Sequence, residues 1–67
     1  MHNLSVIIPF FNEKEFLLDS VNRVLDIGIA NQIFLSDDFS NDGSEIIAKK
    51  LSEEHEFITY IRSNKNK

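Results

Sequence analysis

Residues 36–44 read Ser-Asp-Asp-Phe-Ser-Asn-Asp-Gly-Ser and come directly after the apolar run Ile33-Phe34-Leu35. Adjacent carboxylates such as Asp37 and Asp38 repel each other and resist desolvation, so the end of an apolar run is a costly place for them without donors to receive them. A second candidate stretch, Pro9-Phe10-Phe11-Asn12-Glu13, comes after the apolar run Val6-Ile7-Ile8. An aromatic ring near a carboxylate suits a nucleoside: the ring stacks on a flat base, and the carboxylate accepts an N–H or a ribose hydroxyl. Phe11 and Glu13 on one side and Asp37-Asp38 on the other form the candidate set. Neither group suits a phosphate. The glycine-rich turns that cradle phosphates at a helix N-terminus, GxGxxG and GxxxxGK[ST], do not occur. The phosphates of a bound nucleotide would be met by other groups or by a metal.

Each of these residues also has a plainer reading. Aspartates in a loop before a helix commonly cap and turn the chain. An Asp-Asp pair also suits Mg²⁺, as in receiver domains, although here the pair comes after the second strand rather than the first. Phe10 and Phe11 are most simply core residues, and Glu13 is most simply a charge complementing a helix N-terminus. His2 and His55 have no metal-ligating partner at a sensible spacing, His55 reads as a surface residue, and the Lys65–Lys67 tail reads as solvated.

Five elements would position the candidates. A β-branched run over 4–8, stopped by Pro9, reads as a first strand. Leu17, Leu18, Val21, Val24 and Leu25 make the stripe of an amphipathic helix over roughly 13–27, with Asn12 and Glu15 spaced as a capping box and Gly28 as its stop. A second strand covers 32–35, and 36–44 is a loop in which Ser40, Asn41 or Asp42 caps the second helix. Ile46, Ile47, Leu51 and His55 give that helix a weaker stripe over 44–55, and 57–61 is a third strand. The order is βαβαβ, so the strands pair in parallel with right-handed crossovers, and both helices fall on one face of the sheet. Val6-Ile7-Ile8 and Ile33-Phe34-Leu35 are apolar on both faces, so the other face expects a cover. In such a sheet ligands bind beyond the carboxyl ends of the strands, where both candidate clusters lie.

Composition narrows the function classes. With 67 residues, 42% hydrophobic and 27% charged, the chain is one small ordered domain or part of a larger one. A formal charge of −4, with Glu53, Glu54 and Glu56 among the basic residues of the second half, lacks the footprint for nucleic-acid phosphates. Cysteine is absent, which removes disulfides, thiolate zinc sites and thiol catalysis. No stretch approaches the about 18 apolar residues of a membrane span, and the first residues lack a signal-peptide pattern, so a cytoplasmic location is expected.

Taken together, Ser5-Val6-Ile7-Ile8-Pro9-Phe10-Phe11-Asn12-Glu13 and Asp37-Asp38-Phe39-Ser40-Asn41-Asp42-Gly43-Ser44 resemble the start of a family 2 glycosyltransferase, whose opening strand runs into aromatic-Asn-Glu and whose second strand runs into D-D-G-S-x-D-G-[ST]. The resemblance covers essentially the whole chain. It implies an α/β fold, the βαβαβ parallel three-stranded half of a Rossmann-like GT-A domain. It also implies that 1–67 is the N-terminal part of that domain, ending before the metal-binding D-x-D. The implied partner is a nucleotide-sugar donor, UDP-linked, whose sugar passes to an acceptor hydroxyl. Pro9 and Phe11 would line the base, with Glu13 nearby; Asp38 would contact the uracil or ribose, and Asp37 would support the turn. Phe11 stands where Tyr is usual, and Phe39 stands where the family has Gly, which predicts either a changed backbone after Asp38 or an extra buried ring.

In this family Mg²⁺ or Mn²⁺, the catalytic base and the acceptor site belong to residues beyond the third strand. The 67 residues alone are therefore expected to bind no metal, to be catalytically inactive and to associate through the uncovered sheet face. Two other readings compete. One is a small gene product or remnant with weak or no nucleotide binding. The other is a truncated receiver-like or flavodoxin-like signalling domain, which would want a phosphorylatable Asp after the third strand, where Tyr60-Ile61-Arg62-Ser63 offers none.

Overall fold

The structure is a computed structural model that describes residues 4–28 and 30–63; His2 and the tail from Asn64 to Lys67 lie outside the described residues. The elements run β1 (Ser5–Phe10), α1 (Lys14–Ile27), β2 (Gln32–Asp37), α2 (Ser44–Glu54) and β3 (Ile58–Arg62). The strands form one parallel sheet in the order β1-β2-β3. This is the expected βαβαβ architecture.

Both leading strands run further than the sequence predicts. β1 passes through Pro9 to Phe10 because it pairs on one side only. The Phe10 carbonyl accepts the Asp38 N–H at 3.0 Å, so Phe10 faces β2 and the missing N–H of Pro9, one residue back, faces the open edge, where no ladder bond is lost. β2 continues through Ser36 to Asp37, so the strand itself ends on the first carboxylate. The pairings place Phe10, Asp37 and Arg62 side by side in the last row of the sheet.

One sheet face carries the core. Ile8 and Phe10 from β1, Ile33 and Leu35 from β2, and Ile58 from β3 pack with Leu17 and Val21 of α1 and Ala48 of α2. Both helices therefore cover the same face, as the right-handed crossovers require. The opposite face is open: Ile7 is 66% exposed and Ile61 50%.

The helices differ from expectation in detail. In α1 Leu17 and Val21 are buried and Val24 and Leu25 pack against the core, whereas Leu18 lies on the exposed flank. In α2 the buried positions are Ser44 and Ala48, flanked by Ile47 and Leu51, and Ile46 points to solvent. The small Ala48 escapes a periodicity reading because the large apolar residues dominate it. Gly28 ends α1 in the left-handed conformation, φ 73°, with its N–H on the Val24 carbonyl, as expected of a helix-stop glycine. His55 is half-buried rather than a free surface residue, with its ring 5.3 Å from that of Phe57.

Candidate functional site

The two aspartates part company at the end of β2. Asp37 lies on the helix-covered face and is 2% exposed, whereas Asp38 is exposed. Asp37 is surrounded by donors. Its Oδ1 accepts the Ser40 N–H at 2.8 Å, and its Oδ2 accepts the Tyr60 hydroxyl at 2.6 Å and Arg62 Nη1 at 3.1 Å. A buried carboxylate is tolerated on these terms, with its charge paired and its oxygens hydrogen-bonded. The same contacts act on the partners. Burial first, and the Asp37 carboxylate second, push the Tyr60 phenol above its ordinary 10.0. Arg62 is held above its ordinary value, first through its hydrogen bond with Tyr60. Asp38 has no hydrogen-bond or ion-pair partner for its carboxylate among the described residues, and its position is fixed through its backbone N–H on Phe10.

Phe39, the next residue, sits at φ 70°, the left-handed region, which a bulky side chain occupies at a cost of about 1–2 kcal/mol. The expected alternatives, a changed backbone or a buried ring, are both replaced by a third arrangement. The backbone keeps a conformation natural to glycine, and the ring stays 37% exposed beneath the Arg62 guanidinium, 4.6 Å from cation to ring centre. That cation–π contact offsets part of the strain.

The loops after β1 and β2 are tied together by polar bridges. The Asn12 N–H donates to Ser40 Oγ at 2.9 Å, and the Asn41 N–H donates to Asn12 Oδ1 at 2.8 Å. Asn12 adopts φ 49° and spends its side chain on this bridge. The expected capping box with Glu15 therefore does not form; Glu13 occupies the N-cap position of α1 without a side-chain cap bond. Ser40, fully buried, likewise joins the two loops instead of capping α2. At the start of α2, Asp42 accepts the Ser44 N–H at 2.9 Å and the Ser44 hydroxyl, and these bonds, led by the hydroxyl, lower its carboxyl below the ordinary 3.8. Gly43 precedes α2 at φ 101°, and a Cβ there would come into van der Waals contact with the Lys14 side chain.

Of the residues read as candidates, Phe10 belongs to the core, while Phe11 presents a ring that is 42% exposed. Pro9 and Glu13 are exposed on the same β1 exit, and Asp38 is exposed on the β2 exit across the Asn12–Ser40 bridge. Sequence reasoning misses Tyr60, Arg62 and the bridging roles of Asn12, Ser40 and Asn41. The available signal is positional: Tyr60 and Arg62 alternate onto the same face of β3 as Ile58, so polar groups there need an internal partner. Among the described residues no three acidic or histidine side chains converge as metal ligands. No helix among them is long and apolar enough to cross a membrane.

A family model described as glycosyl transferase family 2 matches residues 5–67. The chain belongs to this family. A curated relative, the undecaprenyl-phosphate 4-deoxy-4-formamido-L-arabinose transferase of Pectobacterium atrosepticum, is 38% identical over 69 aligned positions. The match takes in 96% of this chain and 21% of the relative, so the chain spans about a fifth of the relative's length. The three parallel strands and two helices correspond to part of a Rossmann-like domain of the GT-A type.

Proposed function

We propose that these residues form the nucleotide-binding N-terminal part of a GT-A domain, in a transferase that moves a sugar from a UDP-linked donor to an acceptor. The observation that carries this reading is the contrast at the end of β2. Asp37 is consumed by internal donors, while the exposed Asp38 carboxylate has no partner among the described residues and the loop after the neighbouring strand carries the exposed ring of Phe11. In this reading Phe11 stacks on the base with Pro9 beside it, Asp38 accepts from the base or ribose, Glu13 borders the site, and Asp37 holds the turn.

The described residues do not make a site for Mg²⁺ or Mn²⁺, since no set of ligands converges among them. The divalent ion, the catalytic base and the acceptor site are proposed to belong to other parts of the domain, as membership of the family implies, and the 67 residues alone are proposed not to transfer sugar. The open face of the sheet, with Ile7 and Ile61, is covered in the complete domain.

The acceptor has two candidate chemistries. A sugar hydroxyl is the general one, whereas the name of the Pectobacterium relative pairs its sugar with undecaprenyl phosphate, which makes a phosphate oxygen the alternative. Binding of UDP, CDP, GDP and ADP to the full-length polypeptide, measured by calorimetry with Mg²⁺ present, tests the donor assignment. UDP binding tightest supports it. Equal affinity for all four, or none, removes it.

A further inference from the structure

We propose that Arg62 is a positioning residue for the Asp38 carboxylate and that it acts through the ring of Phe39. The proposal rests on the reading of Asp38 as the nucleotide-binding carboxylate.

Three observations carry it. First, the guanidinium is fixed: Nη1 donates to the buried Asp37 Oδ2 at 3.1 Å and lies 3.4 Å from the Tyr60 hydroxyl. Second, its central carbon, Cζ, lies over the Phe39 ring, 4.6 Å from the ring centre, and Phe39 is bonded directly to Asp38. Third, Phe39 holds a left-handed backbone that glycine would adopt without cost, so the ring is kept at a position whose backbone gains nothing from having one. A glycine would give β3 nothing to hold.

Asp38 is thereby gripped from both sides. Its own N–H is tied to the Phe10 carbonyl of β1 at 3.0 Å, and the residue after it is clamped by a cation from β3. The neighbouring strand is fastened to the same turn, because the Ser63 N–H donates to the Asp37 carbonyl at 3.0 Å. A short carboxylate on a turn has two side-chain torsions and whatever freedom its backbone allows. Removing the backbone freedom leaves the nucleotide less ordering to do on binding.

The test is a double-mutant cycle in the full-length polypeptide, reading UDP affinity by calorimetry with Mg²⁺ present and the thermal midpoint separately. Arg62→Met and Phe39→Gly should each weaken UDP binding by roughly tenfold, and the double variant should be no weaker than either single one, since both remove the same clamp. Arg62→Lys, which keeps a cation near the ring, should recover part of the loss. Phe39→Gly relieves backbone strain and leaves the Arg62–Asp37 pair in place, so its UDP affinity tests the proposal by itself even where Arg62→Met does not fold.

Additive losses would mean that Arg62 meets the nucleotide itself and would overturn the proposal. So would unchanged UDP affinity in Phe39→Gly, whatever happens to the thermal midpoint. Asp38→Ala separates this failure from that of the underlying reading. If Asp38→Ala binds UDP as the wild type does, the nucleotide site is misassigned and the positioning role falls with it. If it binds weakly while the cycle is additive, only the positioning role is lost.

Discussion

Asp37 and Arg62 stand opposite each other at the last rung of the β2–β3 pairing, and the guanidinium nitrogen of one lies 3.1 Å from the buried carboxylate oxygen of the other. Parallel pairing puts their side chains on the same face, next to the buried Phe10 in the same row and directly above Leu35 and Tyr60. The polar contact therefore closes the apolar layer at the end where the ligand is proposed to bind. Asp37 and Asp38 differ in which way the strand turns them, and that difference buries one and exposes the other.

Asp37→Ala should be costly to stability. It leaves the Ser40 N–H and the Tyr60 hydroxyl without their acceptor, so a loss of about 3 kcal/mol is expected. Chemical denaturation of the full-length polypeptide measures it. A variant as stable as the wild type would show that the buried carboxylate is not holding the turn.

Tyr60→Phe removes one donor and leaves the ring in place. A stability loss of about 1–2 kcal/mol is expected near neutral pH. The phenol is raised above its ordinary 10.0, so its stabilising contribution is complete below that value and is lost as pH rises through the higher folded value. The wild type should therefore lose stability more steeply than Tyr60→Phe at alkaline pH. Parallel melting curves against pH for the two proteins would contradict the assignment.

At the acid end the sign reverses. The Asp42 carboxyl is lowered below 3.8, chiefly by the Ser44 hydroxyl, so its contribution is present above that value and disappears as pH falls through the lower folded value. Ser44→Ala should flatten the acid limb of the stability profile, and an unchanged limb would remove Asp42 from the helix start.

The isolated 67-residue chain should bind a hydrophobic dye or self-associate, because the sheet face with Ile7 and Ile61 is open. Ile7→Thr with Ile61→Thr should reduce dye binding. A dye-silent monomer with a sharp, high-temperature transition would contradict the proposal that this face is covered in a larger domain.

Much of the fold is legible in the sequence because it is written in short-range patterns. β-branched runs, a 3.6-residue stripe and Gly28 mark the strands, the first helix and its stop. The site is legible only in part. Phe11, Glu13 and Asp38 can be placed at strand ends, but residue chemistry alone makes Asp37 and Asp38 look alike, and only the family resemblance separates them before the strand's end is known. The side-chain partners of Asp37, Tyr60 and Arg62, lie 23 and 25 residues further along the chain, and Asn12 finds Ser40 28 residues away. Contacts of that range depend on strand register, which no local pattern contains. Phe39 is conspicuous in the sequence, yet its ring is explained only once β3 brings Arg62 over it.

Asp38, not Asp37, is the carboxylate proposed to receive the nucleotide. Calorimetric titration of UDP into the full-length polypeptide and its Asp38→Ala and Asp37→Asn variants, all at a temperature where each is folded, tests it most directly. Asp38→Ala should lower affinity by roughly tenfold or more with its thermal midpoint unchanged, and Asp37→Asn should lower the midpoint with a smaller change in affinity. Equal losses of affinity in the two variants, or undiminished binding by Asp38→Ala, would contradict it.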